Sequence, residues 1–267
     1  MTALLLTLAL GEVGEAGAQG APVDVALVLA VDISLSMDGA EQRAQREGYI
    51  AALSDPAVMD AIARGRRGRI AVAYVEWGGP WTQRVVAPWT VIAGPDDAQA
   101  VIEELRFADI ATSRGTSITA ALDFATGLLA EAPPADRRVI DISGDGPNNM
   151  GGPVTQARDR ALAAGVEVNG LPLMLGPPDP IFSVPDLDIY YQDCVVGGPL
   201  ALVIPVLGVE RFASAIRQKL ILEIAAPAPR PPADVGTTPA AAPAAAGTDC
   251  AIGEKLYERW RRSMDWN

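Results

Sequence analysis

The sequence predicts an α/β fold: a Rossmann-like, doubly wound, mostly parallel sheet with helices on both faces. Three observations predict it. Apolar runs recur, above all the continuous Val25-Ala26-Leu27-Val28-Leu29-Ala30-Val31, with the shorter strand Arg138-Val139-Ile140-Asp141-Ile142-Ser143 further on, and a continuous run marks a strand covered on both faces. Segments of helical character alternate with them, as a mostly parallel sheet requires. The runs end in acidic and hydroxyl residues, where open α/β sheets place their ligands.

The first run ends at Asp32, and residues 38 to 53 follow as a helix with Asp38 at its start, a residue whose carboxylate can accept from the first free N–H groups. Arg69 to Trp77 reads as the second strand and Gln83 to Ile92 as the third. Pro88 inside the third points to a sheet edge, because proline cannot donate to a ladder. Helices are expected from Asp96 to Phe107 and from Ser117 to Glu131, with the hydroxyl loop Ser113-Arg114-Gly115-Thr116 between them. Arg138 to Ser143 is the next strand, running into Gly144-Asp145-Gly146-Pro147-Asn148-Asn149. Residues 154 to 164 form a helix closed by Gly165, a natural cap. Val166 to Leu173 is a strand, 176 to 188 a Pro- and Asp-rich loop, Ala201 to Val206 a short strand, and Glu210 to Ile224 an amphipathic helix.

The chain divides into four parts. Residues 1–20 carry an apolar stretch too short to span a bilayer, then small residues through Ala16-Gly17-Ala18. That pattern is a secretory signal peptide cut near Ala18, although the basic n-region is missing. Residues 21–225 are the domain, long enough for one substantial core. Residues 226–248 collapse to Ala, Pro and Gly, a linker without core-forming residues. Residues 249–267 are a C-terminal tail that can be helical. Cys194 and Cys250 are the only cysteines, an even count that suggests one disulfide in an oxidising compartment. That bond would pin the tail to the domain. Export to the periplasm or medium is the expected location, with no membrane span in the mature chain.

Composition narrows the chemistry. The net charge of −12 disfavours nucleic acid and anionic lipid. Histidine is absent from all 267 residues, which excludes Ser-His-Asp and Cys-His catalysis and a histidine zinc site. The two lysines, Lys219 and Lys255, lie in no glycine-rich phosphate loop. Carboxylate and hydroxyl oxygens remain, and they suit hard cations: Mg2+ first, with Mn2+ or Ca2+ as alternatives.

Three loops supply those oxygens. Asp32-Ile33-Ser34-Leu35-Ser36 and Ser143-Gly144-Asp145-Gly146 follow strands, and Arg114-Gly115-Thr116-Ser117 precedes a helix. If the two strands flank the point where strand order reverses, the loops converge. Alternation in Asp32-x-Ser34-x-Ser36 directs three side chains to one side of an extended turn. Neutral hydroxyls can ligate without quenching the ion's charge, while the carboxylates orient bound water.

Here the sequence resembles a known family. Asp32-x-Ser34-x-Ser36, the later Thr116 and the Ser-Gly-Asp145-Gly turn are similar to the metal-ion-dependent adhesion site of von Willebrand factor type A domains, over about Val23 to Ile224. The resemblance implies that Ser34, Ser36 and Thr116 ligate directly and that Asp32 and Asp145 act mostly through water. It also implies a partner protein whose acidic side chain completes the coordination sphere. The threonine loop has Arg-Gly-Thr for the family's usual Gly-Gly-Thr, and the aspartate turn Ser-Gly-Asp-Gly for Thr-Asp-Gly; both keep the oxygen. More narrowly, Tyr190-Tyr191-Gln192-Asp193-Cys194-Val195-Val196-Gly197-Gly198-Pro199 with the Phe212-to-Ile224 helix resembles an uncharacterised bacterial family of exported A-like proteins.

The expected function is a metal-dependent adhesion or scaffolding module of the cell envelope, not an enzyme. Arg114, Asn148 and Asn149 are expected on its rim, in contact with the partner. A metal-dependent hydrolase or phosphatase using Asp32 is the alternative, but aspartate-nucleophile phosphatases usually need a second aspartate where this chain has Ser34. A third reading keeps the fold and discards the metal. Asp38 is expected to cap a helix, Trp77, Trp81 and Trp89 to form a small satellite core, and Asp179, Asp186 and Asp188 to lie in a solvated loop.

Overall fold

Successive residues of a strand face opposite ways, and the first strand buries both sets. In β1 (Val23–Asp32), Val25, Leu27, Leu29 and Val31 enter one apolar cluster, and Ala26, Val28 and Ala30 enter the other. A strand apolar on both faces has to sit mid-sheet between two helical layers. The computed structural model describes residues 20–177, 182–227 and 247–264. The expected signal peptide, nearly all of the linker and Asp179 lie outside the described residues.

The other strands are β2 (Ile70–Trp77), β3 (Gln83–Ile92), β4 (Ala135–Gly144), β5 (Glu167–Met174) and β6 (Val206–Leu207). They form one sheet in the order β3-β2-β1-β4-β5-β6. Every pairing is parallel except β2 with the edge strand β3. The β2–β3 register breaks between Val72 and Tyr74, opposite Pro88, as a strand residue without an N–H demands. Helices α1 (Gly39–Leu53), α2 (Pro56–Ala63), α3 (Pro95–Phe107) and α7 (Phe212–Ala225) cover one face. Helices α4 (Ile118–Leu129), α5 (Val154–Ala163) and the short α6 (Leu187–Tyr190), which continues as a π-helical turn over Tyr191–Val195, cover the other. The doubly wound α/β architecture is therefore as expected.

Strand order reverses between β1 and β4, so their carboxyl ends flank the switch point. Val31 pairs with Ser143, which sets Asp32 level with Gly144 and brings Asp145 in immediately beyond.

Three segments differ from expectation. Helix α2 was not anticipated, although its signal is plain: Asp55 accepts from the N–H of Ala57 and Pro56 opens the helix. The strand expected over 201–206 shrinks to Val206–Leu207. Pro205 has no N–H, and the preceding residues make only the isolated Gly170–Val203 bridge. The helical turns over 187–195 carry no amphipathic period long enough to stand out.

Asp38 caps α1 in a full capping box with Glu41. The tryptophans do not form one cluster: Trp77 is buried, Trp89 donates to the carbonyl of Leu128, and Trp81 is 95% exposed. Cys194 and Cys250 are joined, with Cα atoms 5.5 Å apart. The tail forms helix α8 (Ile252–Met264). Among the described residues no helix is long and apolar enough to cross a membrane.

Candidate metal centre

β1 delivers Asp32 to the switch point with 1% of its surface exposed. Its Oδ1 accepts from the N–H of Ser34 at 2.7 Å, a local bond that turns the chain as it leaves the sheet. Ser34 is buried and Ser36 exposed. Their hydroxyl oxygens lie 2.8 Å apart, and Ser36 Oγ donates to Asp145 Oδ1 at 2.7 Å. Four of the five expected ligands thus form one hydrogen-bonded path from β1 to the loop after β4.

Thr116, also buried, arrives on the third loop. That loop is stitched to the first: Leu35 N–H donates to Ser113 O, and Ser113 N–H to Ile33 O, both at 2.9 Å. Upstream, Arg46 and Arg84 share the buried Glu76 and both donate to the carbonyl of Asp109, which fixes the approach to Ser113. Gly115 makes the final turn at φ +81°, and a Cβ there would meet Met150 Sδ at 2.4 Å, so any other residue would be strained at this position. Ser117 caps α4 through Ala120 N–H.

Asn149 clamps the threonine loop to the aspartate loop. Its Oδ1 accepts from Thr116 N–H, and its own N–H donates to Thr116 O, each at 2.9 Å. Asn149 is half-buried and Arg114 exposed, so these two rim residues do reach the surface. Asn148 does not. It is completely buried, its Oδ1 accepting from Thr119 N–H and Oγ1 and its Nδ2 donating to Gly152 O and Glu254 Oε1. The expectation of a rim contact fails there because the chain after Pro147 turns inward under α4 and α8.

The electrostatics of the site are unbalanced. Burial first, and the charge of Asp145 second, hold the Asp32 carboxyl well above the ordinary carboxylate range. Burial likewise pushes Asp145 up to about 6, against hydrogen bonds from Ser36 and Ser34. Neither carboxylate has an ion-pair partner among the described residues. Asp32 Oδ2 is buried without a hydrogen-bond partner, as is the hydroxyl of Tyr191. A Cβ on Gly144 would sit 2.9 Å from the first and 2.7 Å from the second, so Gly144 keeps this space open. No signal in the sequence linked Tyr191, from the π-helical turn, to this spot.

Two like charges facing each other, an orphaned carboxylate oxygen and three hydroxyls are the donor set of a hard cation. Among the described residues no cluster of three or more His, Cys, Asp or Glu could hold a metal. A cation at this site therefore depends on the hydroxyls of Ser34, Ser36 and Thr116 as well as the carboxylates.

The fold is the one seen in von Willebrand factor type A domains. The chain belongs to the family described as "Protein of unknown function (DUF1194)", whose model matches residues 22–228. No match was found among curated proteins. Solved structures share the fold. Proximal thread matrix protein 1 from the mussel byssus, in a form with a zinc-occupied metal-ion-dependent adhesion motif, aligns at a TM-score of 0.55 and 15% identity, covering 76% of this chain and 48% of its own. A von Willebrand factor type A protein from Catenulispora acidiphila aligns at 0.51 and 18%, covering 74% and 42%. The pilus adhesin SpaC from Lactobacillus rhamnosus GG, in its open conformation, aligns at 0.56 and 14%, covering 75% and 30%. The chain thus spans less than half the length of these structures.

Proposed function

We propose that this protein is an exported, divalent-cation-dependent protein-binding module of the bacterial cell envelope, used for adhesion or scaffolding. The cation, Mg2+ with Mn2+ or Ca2+ as alternatives, is held by Ser34, Ser36 and Thr116, with Asp32 and Asp145 supplying negative potential and orienting its water. An acidic side chain of the partner completes the coordination, and Arg114 and Asn149 flank it. The observation that carries this reading is the Asp32–Ser34–Ser36–Asp145 path, which ends in a buried carboxylate oxygen with no partner. The mussel protein, whose adhesion motif takes zinc, and the pilus adhesin support it by analogy of fold. The Cys194–Cys250 bond and the apolar leader support export.

A phosphatase built on Asp32 finds less support. That side chain is 1% exposed, too enclosed to attack a bulky ester. The lysines are committed elsewhere, Lys219 to Asp141 and Lys255 to Asp249.

Calorimetric titration of the protein with Mg2+, Mn2+ and Ca2+ tests the reading, alongside Asp145→Ala. Micromolar-to-millimolar binding that disappears in the variant is the expected result. No binding by the wild type would remove the cation-dependent function.

A further inference from the structure

The structure assigns helix α8 a second role, as a brace for the metal-site loops, with Asn148 and Glu254 as its positioning residues. This rests on the metal-site reading above. Asn148 lies between the two ligand loops. Its Oδ1 holds Thr119, three residues beyond Thr116, by both N–H (3.1 Å) and Oγ1 (3.2 Å). Its backbone N–H, three residues after Asp145, donates to Tyr190 Oη at 3.1 Å. One amide hydrogen binds Gly152 O at 2.9 Å, and the other reaches Glu254 Oε1 at 2.7 Å.

The partner matters chemically. Glu254 Oε1 accepts from the Asn148 NH2 group, so it holds that end of the amide toward α8 and leaves the oxygen facing Thr119. α8 is fitted against this spot: a Cβ on Gly253 would fall 2.1 Å from Asn148 O and 3.1 Å from Pro147 Cβ, so glycine is what permits the contact.

The attachment is independent of the chain leading from α7. Cys250 is bonded to Cys194, Thr248 Oγ1 donates to Asp193, Ile252 packs against the α4–α5 core, and Trp260 meets the ring of Phe182 at 5.5 Å. The Phe182 backbone carbonyl in turn faces Gly146 in the aspartate loop, 3.6 Å from where a Cβ would stand. The disulfide therefore places a helix from the far end of the sequence where it orients the loop carrying Asp145 and, through Thr119, the turn carrying Thr116.

Four full-length variants test this: Glu254→Ala, Glu254→Gln, Gly253→Ala and the double Cys194→Ser/Cys250→Ser. Amide hydrogen exchange of residues 116–119, 145, 146, 148 and 149 is measured without metal, and Mn2+ affinity by calorimetry. Exchange in both loops should accelerate in Glu254→Ala, Gly253→Ala and the double variant, and stay near wild type in Glu254→Gln, whose amide oxygen still accepts. Mn2+ affinity should fall by about tenfold in the same three, the low end for residues that position metal ligands. Exchange unchanged in all four would overturn the brace, and so would equal acceleration in Glu254→Gln and Glu254→Ala. If the wild type binds no Mn2+, the metal-site reading fails while the exchange data still decide on the brace.

Discussion

Ser36 and Asp145, 109 residues apart in sequence, meet at 2.7 Å through a hydroxyl-to-carboxylate hydrogen bond. The contact joins the loop after β1 to the loop after β4 across the switch point of the sheet. A cation seated there would take the Ser36 oxygen as a ligand and leave Asp145 to accept from the same hydroxyl. Ser36→Ala removes both roles at an exposed position where little packing is lost. Its affinity for Mn2+ should drop at least about tenfold, with the melting temperature of the metal-free protein nearly unchanged. Wild-type affinity in this variant would take Ser36 out of the coordination set.

Protons and cations should compete at this site. Burial raises the Asp145 carboxyl to about 6 in the metal-free protein, and burial, then the charge of Asp145, holds Asp32 well above the ordinary carboxylate range. Both must be ionised to supply the potential a cation needs, so binding releases protons. Mn2+ affinity should weaken as pH falls, by about tenfold per pH unit for each carboxyl that has to lose a proton, with the Asp145 contribution setting in below about 6. Titrations at pH 7.5 and 5.0 check this, and equal affinities would mean that neither carboxylate has to lose a proton.

Beneath the opposite face lies a second unbalanced cluster. Lys219 is completely buried, 2.5 Å from Asp141 Oδ1 and bonded to Glu223, while Asn169 Nδ2 donates to Glu223 Oε1 at 2.8 Å. One ammonium faces two carboxylates, and burial followed by the charge of Asp141 pushes Glu223 up to about 7. Between the ordinary 4.5 and 7 the folded protein therefore binds more protons than the unfolded chain. Its contribution to stability is present at acid pH and declines as pH rises through that window, by at most about 1.4 kcal/mol per unit. Urea unfolding at pH 5 and 7 should show this decline in the wild type and a shallower one in Glu223→Gln. Lys219→Met leaves two buried carboxylates without their cation and should cost about 3–5 kcal/mol at pH 7.

The sheet was legible because β1, at its centre, is apolar on both faces, a pattern that depends only on local sequence. The convergence of the candidate loops was legible for a related reason: Asp32, Ser34, Ser36, Thr116 and Asp145 each lie near where a strand ends or a helix begins, and the strand order brings the loops after β1 and β4 together. What stayed hidden is nonlocal. Asn148 looked like a surface residue because a polar side chain in a loop usually meets water, and nothing nearby announced Thr119, Tyr190 and Glu254 as partners. Trp81 was expected in a small core with Trp77, but the tight turn from Gly78 to Thr82 carries it into solvent. The strand over 201–206 failed on one residue, Pro205, whose missing N–H outweighed the β-branched residues around it.

The metal-free site should be a place where stability has been given up for function. Asp32 is buried and Asp145 half-buried beside it, neither with an ion-pair partner among the described residues, and both are pushed toward their neutral forms. Folding therefore opposes the ionisation of Asp145 between the ordinary 3.8 and about 6, and above that window the full penalty is present. Asp145→Asn keeps the shape and an oxygen that can accept from Ser36, while removing one charge. At pH 7 without metal it should unfold at higher denaturant than the wild type, by about 1–3 kcal/mol. Added Mn2+ should stabilise the wild type in proportion to ln(1 + [Mn2+]/Kd) and leave the variant where it was, so the two unfolding curves approach and then cross as the ion is added. If Asp145→Asn is instead the less stable protein without metal, the two carboxylates do not repel each other in the fold, and the argument that a cation is needed to balance them loses its basis.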